Sequence, residues 1–188
     1  MQSAKKTSVT GEAKTAFALL MEDHQRVRQL FSEFRKLKDS SRAAQNDNQK
    51  AELVAQICQE LLIHAQLEEE IFYPAVRAAI DDQDLMDEAA VEHAGAKALI
   101  GQLLEMAPGQ DLYDAKVTVL SESIEHHVKE EEGSMFPQAK KAAGLDATLG
   151  DQLLQRKQEL LAELELPKAK PPVRATTKKS PDTQAAAH

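Results

Sequence analysis

The chain has 188 residues, of which 29% are charged and 4% aromatic, and it contains no tryptophan. The formal net charge is -8, and residues 167–188 carry five Lys or Arg against one Asp, so the rest of the chain carries -12 by difference. An acidic body excludes extensive contacts with phosphate and argues against nucleic acid as its partner.

Residues 1–12 are polar and are predicted to be disordered. They contain no apolar stretch that could act as a signal-peptide core, and no run along the chain approaches the roughly 18–20 apolar residues of a membrane span. The single cysteine, Cys58, excludes an internal disulfide and fits a reducing compartment. A cytoplasmic protein without a membrane partner is therefore expected.

Two amphipathic helical patterns fill the first half of the chain. The first ends in the polar stretch 39–49, and its stripe, at three- and four-residue steps, contains Phe17, Leu20, Met21, His24, Val27, Phe31, Phe34 and Leu37. The second ends at the polar break 81–84, and its stripe contains Leu53, Ile57, Leu61, His64, Glu68, Ile71 and Ala75.

Two further patterns follow. The third stops at Pro108-Gly109, and its stripe contains Leu85, Ala89, His93, Ala96, Leu99, Ile100, Leu103 and Met106. The fourth gives way to the stretch 141–144, and its stripe includes Val117, Leu120, Ile124, His127, Glu131 and Met135. Four long helices with short connections predict an all-α, up-down-up-down four-helix bundle over residues 13–143.

The C-terminal part adds two segments. Residues 146–166 are predicted to form a fifth amphipathic helix that packs on the bundle or on a partner, with one side formed by Leu153, Leu154, Leu160, Leu161 and Leu164. Residues 167–188 are basic, rich in proline and lysine, and have almost nothing to bury, so they are predicted to be disordered. A protein partner could bind either segment.

The second and fourth helices contain matching phrases. A histidine is followed by two consecutive acids, an aromatic residue and a proline at the same offsets in residues 64–74 and 127–137. The first and third helices share a shorter phrase, Asp23-His24 and Glu92-His93. The chain therefore has the pattern of two helix pairs related by internal duplication.

Residues four apart share one face of an α-helix, so His64 projects with Glu68 and His127 with Glu131. A Glu within an apolar stripe is costly to bury unless it is paired or bound to a cation. Imidazole together with carboxylate suits Fe, Mn, Zn, Cu or Co, and six ligands suit two ions bridged by the two carboxylates. The predicted metal ligands are His24, His64, Glu68, His93, His127 and Glu131.

More ordinary interpretations exist for each residue alone. A single inward histidine is usually a satisfied core residue, and a single His-x-x-x-Glu pair is usually a surface pair. The metal interpretation depends on all four histidines being in register with the doubled phrase. His127 is preferred to His126 because it lies ten residues before Pro137, as His64 lies before Pro74.

These motifs resemble the haemerythrin-like family of bacterial type, whose members carry HHE cation-binding domains, over roughly residues 16–143. The resemblance implies a non-haem di-iron centre bridged by carboxylates and an oxo or hydroxo group, with Mn or Zn as possible substitutes. It implies that the four histidines are terminal ligands and that Glu68 and Glu131 are bridges. No catalytic residue is assigned.

The chain departs from the oxygen-carrying haemerythrins at one position. Those proteins have another histidine ligand one turn beyond the third-helix histidine, and here that position is Lys97. Glu69, Glu92 or Glu132 could substitute as ligands, although each could equally be a solvated residue. Plain reversible oxygen carriage is therefore in doubt.

Three functions remain open from the sequence. The first is a protein that binds or senses O₂, peroxide, NO or iron. The alternative is a di-iron enzyme acting on peroxide or NO, or in iron–sulfur cluster repair, and the third is a purely structural helical partner protein. Tyr73 is predicted to serve packing, because Phe136 occupies the equivalent place, and Cys58 is predicted to be a buried, inert thiol.

Overall fold

The computed structural model describes residues 15–40, 46–141, 145–164 and 170–172. The predicted all-α architecture, a four-helix bundle with an additional C-terminal helix, is confirmed. The helical elements in chain order are α1 (Ala16–Lys38), α2 (Asp47–Leu67), π1 (Glu68–Phe72), α3 (Tyr73–Arg77), α4 (Gln83–Leu104), α5 (Tyr113–Glu130), π2 (Glu131–Met135), α6 (Phe136–Ala139) and α7 (Leu145–Glu163). The predicted disordered segment 1–12 lies outside the described residues, as does 167–188 apart from residues 170–172.

Side chains at the helix ends explain where two helices begin. The Thr15 hydroxyl accepts a hydrogen bond from the Ala18 backbone N–H at 3.2 Å and caps α1. Asp82 does the same for α4, accepting from the Leu85 N–H at 3.3 Å. The third helix ends at Leu104, earlier than the Pro108-Gly109 stop predicted from the sequence, and Gly109 takes the turn with a φ of 86°.

The second and fourth bundle helices each contain a π turn, which begins four residues after His64 in one helix and four residues after His127 in the other. In π1 the Tyr73 backbone N–H donates to the Glu68 carbonyl, five residues earlier, and in π2 the Phe136 N–H donates to the Glu131 carbonyl. Pro74 and Pro137 follow directly, at the start of α3 and α6. The internal duplication seen in the sequence therefore extends to this irregular backbone.

Two apolar clusters lie on either side of a polar layer in the bundle. The first surrounds Phe17, Leu67 and Phe72, and the second surrounds Val27, Leu61 and Leu120. Residues 24 and 64 lie between members of the two clusters along their helices. The bundle therefore buries apolar side chains at both ends and places its polar groups in the middle.

Helix α7 packs on α1, α2 and π1 at the end that holds the first cluster. Leu153 and Leu160 are buried in that cluster, whereas Leu154 and Leu161 are 43% and 51% exposed. The prediction that these four leucines share one side is wrong. Adjacent residues lie about 100° apart around a helix axis, so only one leucine of each adjacent pair faces the bundle.

None of the helices formed by the described ranges combines the length and apolar character that crossing a bilayer requires.

Candidate metal centre

The six predicted ligands lie together in the polar layer of the bundle. α1 supplies His24, α4 supplies His93, and the other four come from the paired phrases on the second and fourth helices. The carboxylates are the most deeply buried of the group, with Glu68 0% and Glu131 1% exposed. Within the described residues, their atoms form two overlapping groups whose potential ligand atoms lie within 4.8 Å of one another.

The first group joins His24, His64, Glu68 and Glu131. The Nε2 atoms of His24 and His64 are 3.2 Å apart. Nε2 of His24 lies 3.2 Å from Oε2 of Glu131, and Nε2 of His64 lies 3.2 Å from Oε1 of Glu68. Two imidazoles and two carboxylates therefore face one point.

The second group joins His93 and His127 to Glu68, and Glu131 lies slightly farther away. Their Nε2 atoms are 3.2 Å apart, and Nε2 of His93 lies 3.3 Å from Oε2 of Glu68. Nε2 of His127 is 3.6 Å from Oε2 of Glu131. Glu68 thus turns one oxygen toward each group, and Glu131 lies within reach of both, as bridging carboxylates would.

These distances fit bound cations. Two nitrogens bound to one ion by bonds of about 2.1 Å, at roughly 90–110°, lie about 3.0–3.4 Å apart. In addition, Oε1 of Glu68 and Oε2 of Glu131 are buried and have no hydrogen-bond partner among the described residues. Buried carboxylate oxygens without donors are expensive, and a cation between them would satisfy both.

The other ring nitrogen of each histidine faces an acid outside the central layer. Nδ1 of His24 is 2.9 Å from Glu132, Nδ1 of His93 is 3.0 Å from Glu69, and Nδ1 of His127 is 2.8 Å from Glu92. Such acids orient a metal-binding imidazole and leave Nε2 free for the ion. The sequence-based suggestion that these three glutamates substitute as ligands does not match this geometry, since each meets the nitrogen that points away from the centre.

Each of those acids is held in turn by a basic side chain. Arg28 Nη1 lies 3.1 Å from Glu132, Lys97 Nζ contacts both oxygens of Glu69, and Nε2 of His126 is 3.4 Å from Glu92. Lys97 therefore neutralises an outer acid, and it also lines the cavity beside the histidines. His126 lies at the helix edge, 66% exposed, as the alignment to Pro137 predicts.

Charge inside the layer is balanced by the facing imidazoles. Burial alone would raise the pKa of the Glu68 carboxyl, but His64 and His93 outweigh burial and hold it well below its usual value. Burial alone would lower the pKa of His64, but the charge of Glu68, together with Asp23 and Glu131, raises it to about 10. Glu68 and His64 therefore stabilise each other's charged forms.

Tyr73 is a member of the site, although the sequence alone favoured packing over contact with the site. Its hydroxyl donates to Oε1 of Glu131 at 2.8 Å and lies 3.2 Å from Nε2 of His93 and 3.3 Å from Nε2 of His127. The prediction that Tyr73 serves only packing is wrong. In a regular helix it would lie about 140° around the axis from Glu68, but π1 brings the two residues onto one face.

Phe136 occupies the equivalent position in the other half. Its ring stacks on His24, with centroids 5.9 Å apart and an interplanar angle of 9°. The duplication therefore places a hydroxyl beside His93 and His127 but an apolar ring against His24. The two halves of the site differ chemically although their imidazoles and carboxylates match.

Residues 15–139 match the model of the Hemerythrin HHE cation binding domain, and the chain belongs to this family. It is 33% identical over 118 residues to a protein from Nostoc sp. described as a DNA nickase, an alignment that covers 61% of this chain and 30% of that protein. It also resembles the crystal structure of a Hemerythrin HHE cation binding domain-containing protein from Mycobacterium kansasii. That similarity has a TM-score of 0.63 and 25% identity, and it covers 79% of this chain and 88% of the other.

Proposed function

We propose that this chain binds a pair of iron ions and uses them to bind or sense a small ligand such as O₂, peroxide or NO. The observation that supports this most strongly is the orientation of the imidazoles, whose Nε2 and Nδ1 atoms face different carboxylates. All four Nε2 atoms face two shared carboxylates, while three of the four Nδ1 atoms lie 2.8–3.0 Å from carboxylate oxygens that accept their hydrogen bonds. Six buried groups with this orientation are better suited to cations than to one another.

In this proposal His24 and His64 would hold one ion, His93 and His127 would hold the other, and Glu68 and Glu131 would supply carboxylate oxygens. Bound iron would supply reversible electron transfer to a small ligand. Around it, the outer acids fix the ring orientation of the histidines, and Tyr73 places its hydroxyl on the His93–His127 side. Phe136 and the first apolar cluster keep water from the opposite side.

A small cavity beside the histidines supports a small ligand. Its volume is about 20 Å³, and apolar side chains supply most of its remaining wall, including Val27, Leu61, Ala96, Ile100 and Ile124. A space of this size holds about one water-sized molecule. An apolar wall offers few hydrogen bonds, which favours a diatomic gas over a larger polar substrate.

The experiment is metal analysis followed by optical spectroscopy on the full chain without an affinity tag. We expect two iron ions per chain after anaerobic loading with Fe²⁺, and a new oxo-to-iron absorption band after exposure to air or peroxide. His64→Ala should abolish the band, whereas Val119→Ala, a change at a 48% exposed position of α5, should leave it unchanged. Absence of bound transition metal in the wild type, with full stability, would favour the purely structural function instead.

The same protein separates binding from catalysis. Turnover of peroxide above a free-iron control would favour the di-iron enzyme, and stable ligand adducts without turnover would favour the sensor. The alignment with the Nostoc protein described as a DNA nickase covers 30% of that protein. In addition, the acidic body of this chain disfavours contacts with the phosphates of DNA.

A further inference from the structure

Helix α7 lies outside the residues that match the family, yet it contacts a residue that faces one of the predicted metal ligands. The family match ends at residue 139, and α7 spans Leu145–Glu163. Leu153 and Leu160 fix the helix on the bundle by burial in the first apolar cluster. This docking brings the turn between the two leucines, which contains Lys157, alongside α1. In α1, Asp23 precedes the predicted ligand His24.

Lys157 of α7 forms an ion pair with Oδ1 of Asp23. Asp23 is buried, 7% exposed, and its other oxygen, Oδ2, lies 3.7 Å from Nδ1 of His64. Asp23 therefore lies between a lysine of the added helix and a predicted metal ligand. Burial alone would raise the pKa of Asp23, but His64 and Lys157 outweigh it and keep the carboxyl ionised.

The other three histidines show what this arrangement does. Each has an acid at hydrogen-bond distance from Nδ1, and each acid is held by a basic residue of the bundle itself, namely Arg28, Lys97 or His126. His64 follows the same order of imidazole, acid and base, but its base comes from α7. Its acid stands 3.7 Å away, and Nδ1 of His64 has no hydrogen-bond partner among the described residues.

We propose that Lys157 is a positioning residue that acts on His64 through Asp23, so that docking of α7 strengthens cation binding by the His24–His64 half of the site. The proposal rests on the ligand set of the proposed function. By holding Oδ1, Lys157 leaves Oδ2 turned toward Nδ1 of His64. A carboxylate behind a ligand imidazole sets its tautomer and orientation, and loss of such a partner costs about 10–100-fold in metal affinity.

The coupling is reciprocal. If a docked α7 favours the cation, the cation must favour docking of α7 by the same factor. Cation binding should therefore be visible at α7, a helix that supplies no predicted ligand.

The test uses Zn²⁺ as a redox-silent probe with the full chain and a competing chelator. We expect two zinc ions in the wild type, and in Lys157→Met about a tenfold weaker affinity for one of them with the other unchanged. Lys157→Arg should restore the affinity. Arg156→Met is the matched control, because Arg156 neighbours Lys157 on α7 but pairs with Glu70, and it should bind zinc as the wild type does.

Two further measurements distinguish positioning from loss of packing. Asp23→Asn should weaken the same zinc ion, and adding Lys157→Met to it should cause little further loss, because both changes break one chain of contacts. Hydrogen exchange of the amides in α7 should slow when zinc is added to the wild type, and should respond less in Lys157→Met.

The outcomes separate this inference from the proposed function. Two zinc affinities in Lys157→Met equal to those of the wild type would overturn the inference while leaving the metal centre intact. Failure of Lys157→Arg to restore affinity, or an equal loss in Arg156→Met, would also overturn it. A wild-type chain that binds no zinc and no iron would instead overturn the proposed function on which it rests.

Discussion

The hydroxyl of Tyr73 lies 2.8 Å from Oε1 of Glu131 and donates a hydrogen bond across the bundle to a carboxylate that is 1% exposed. The bond links the end of the second bundle helix to the fourth. It also distinguishes the two halves of the site, because Phe136 has no hydroxyl to offer on the other side.

Tyr73→Phe should destabilise the cation-free protein by about 1–3 kcal/mol, because the buried Glu131 oxygen loses its donor. The ring is retained, so no cavity forms. Denaturant unfolding after chelator treatment measures the change, and Tyr113→Phe, a substitution of the other tyrosine away from the site, is the control. An unchanged midpoint in Tyr73→Phe would show that the bond does not contribute.

Glu68→Gln should reduce the number of tightly bound ions from two to one or none, since one oxygen of Glu68 faces each histidine pair. A neutral amide cannot bridge two cations as a carboxylate does. Metal content after dialysis is the measurement. Glu70→Gln lies in the same π turn but faces Arg156, and it should retain both ions.

Glu92→Ala should weaken cation binding by about 10–100-fold, because His127 loses the acid that orients its ring. Glu130→Ala provides the comparison, since Glu130 also approaches His126 but not His127. Competition with a chelator measures both affinities. Equal effects of the two substitutions would point to general surface charge and not to a specific contact.

The stability of the cation-free protein should fall as pH rises from about 6.5 to about 10. The pKa of His64 is raised from 6.5 to about 10 in the folded state, so the folded chain holds a proton that the unfolded chain releases earlier. The stabilisation is complete below pH 6.5 and is lost as pH passes the folded value. Denaturant unfolding at several pH values tests this.

His64→Gln supplies the control for the pH series. Other buried groups, such as Cys58, whose pKa burial raises to about 12, also lower stability at high pH. The difference in slope between the wild type and His64→Gln isolates the histidine. Parallel curves would mean that His64 does not hold the proton.

The regular part of the site could be predicted from the sequence. A four-residue spacing on an α-helix places His64 with Glu68 and His127 with Glu131, and the doubled phrase indicates that all four helices meet in one layer. The family assignment that these motifs suggested is confirmed. Helical periodicity was sufficient to place these predicted ligands on one face, because each belongs to an unbroken apolar stripe.

The remaining parts depend on contacts that local spacing does not encode. Tyr73 enters the site through a π turn, which helical periodicity does not anticipate. Glu69 directly follows Glu68, so helical periodicity places its side chain on a different face from that of Glu68. Only the position of the neighbouring helix reveals that it contacts His93. Lys157 and Asp23 are 134 residues apart, and no repeating pattern connects them.

Each π turn has one residue more than an α-helix would place in the same rise, so the chain beyond it is shifted in phase relative to the chain before it. A relative with one residue fewer in π1 would keep the spacing between His64 and Glu68, but the side chain of Tyr73 would no longer face the centre. Such a protein would keep all six predicted ligands in its sequence but would lack the hydroxyl that lies beside His93 and His127 here.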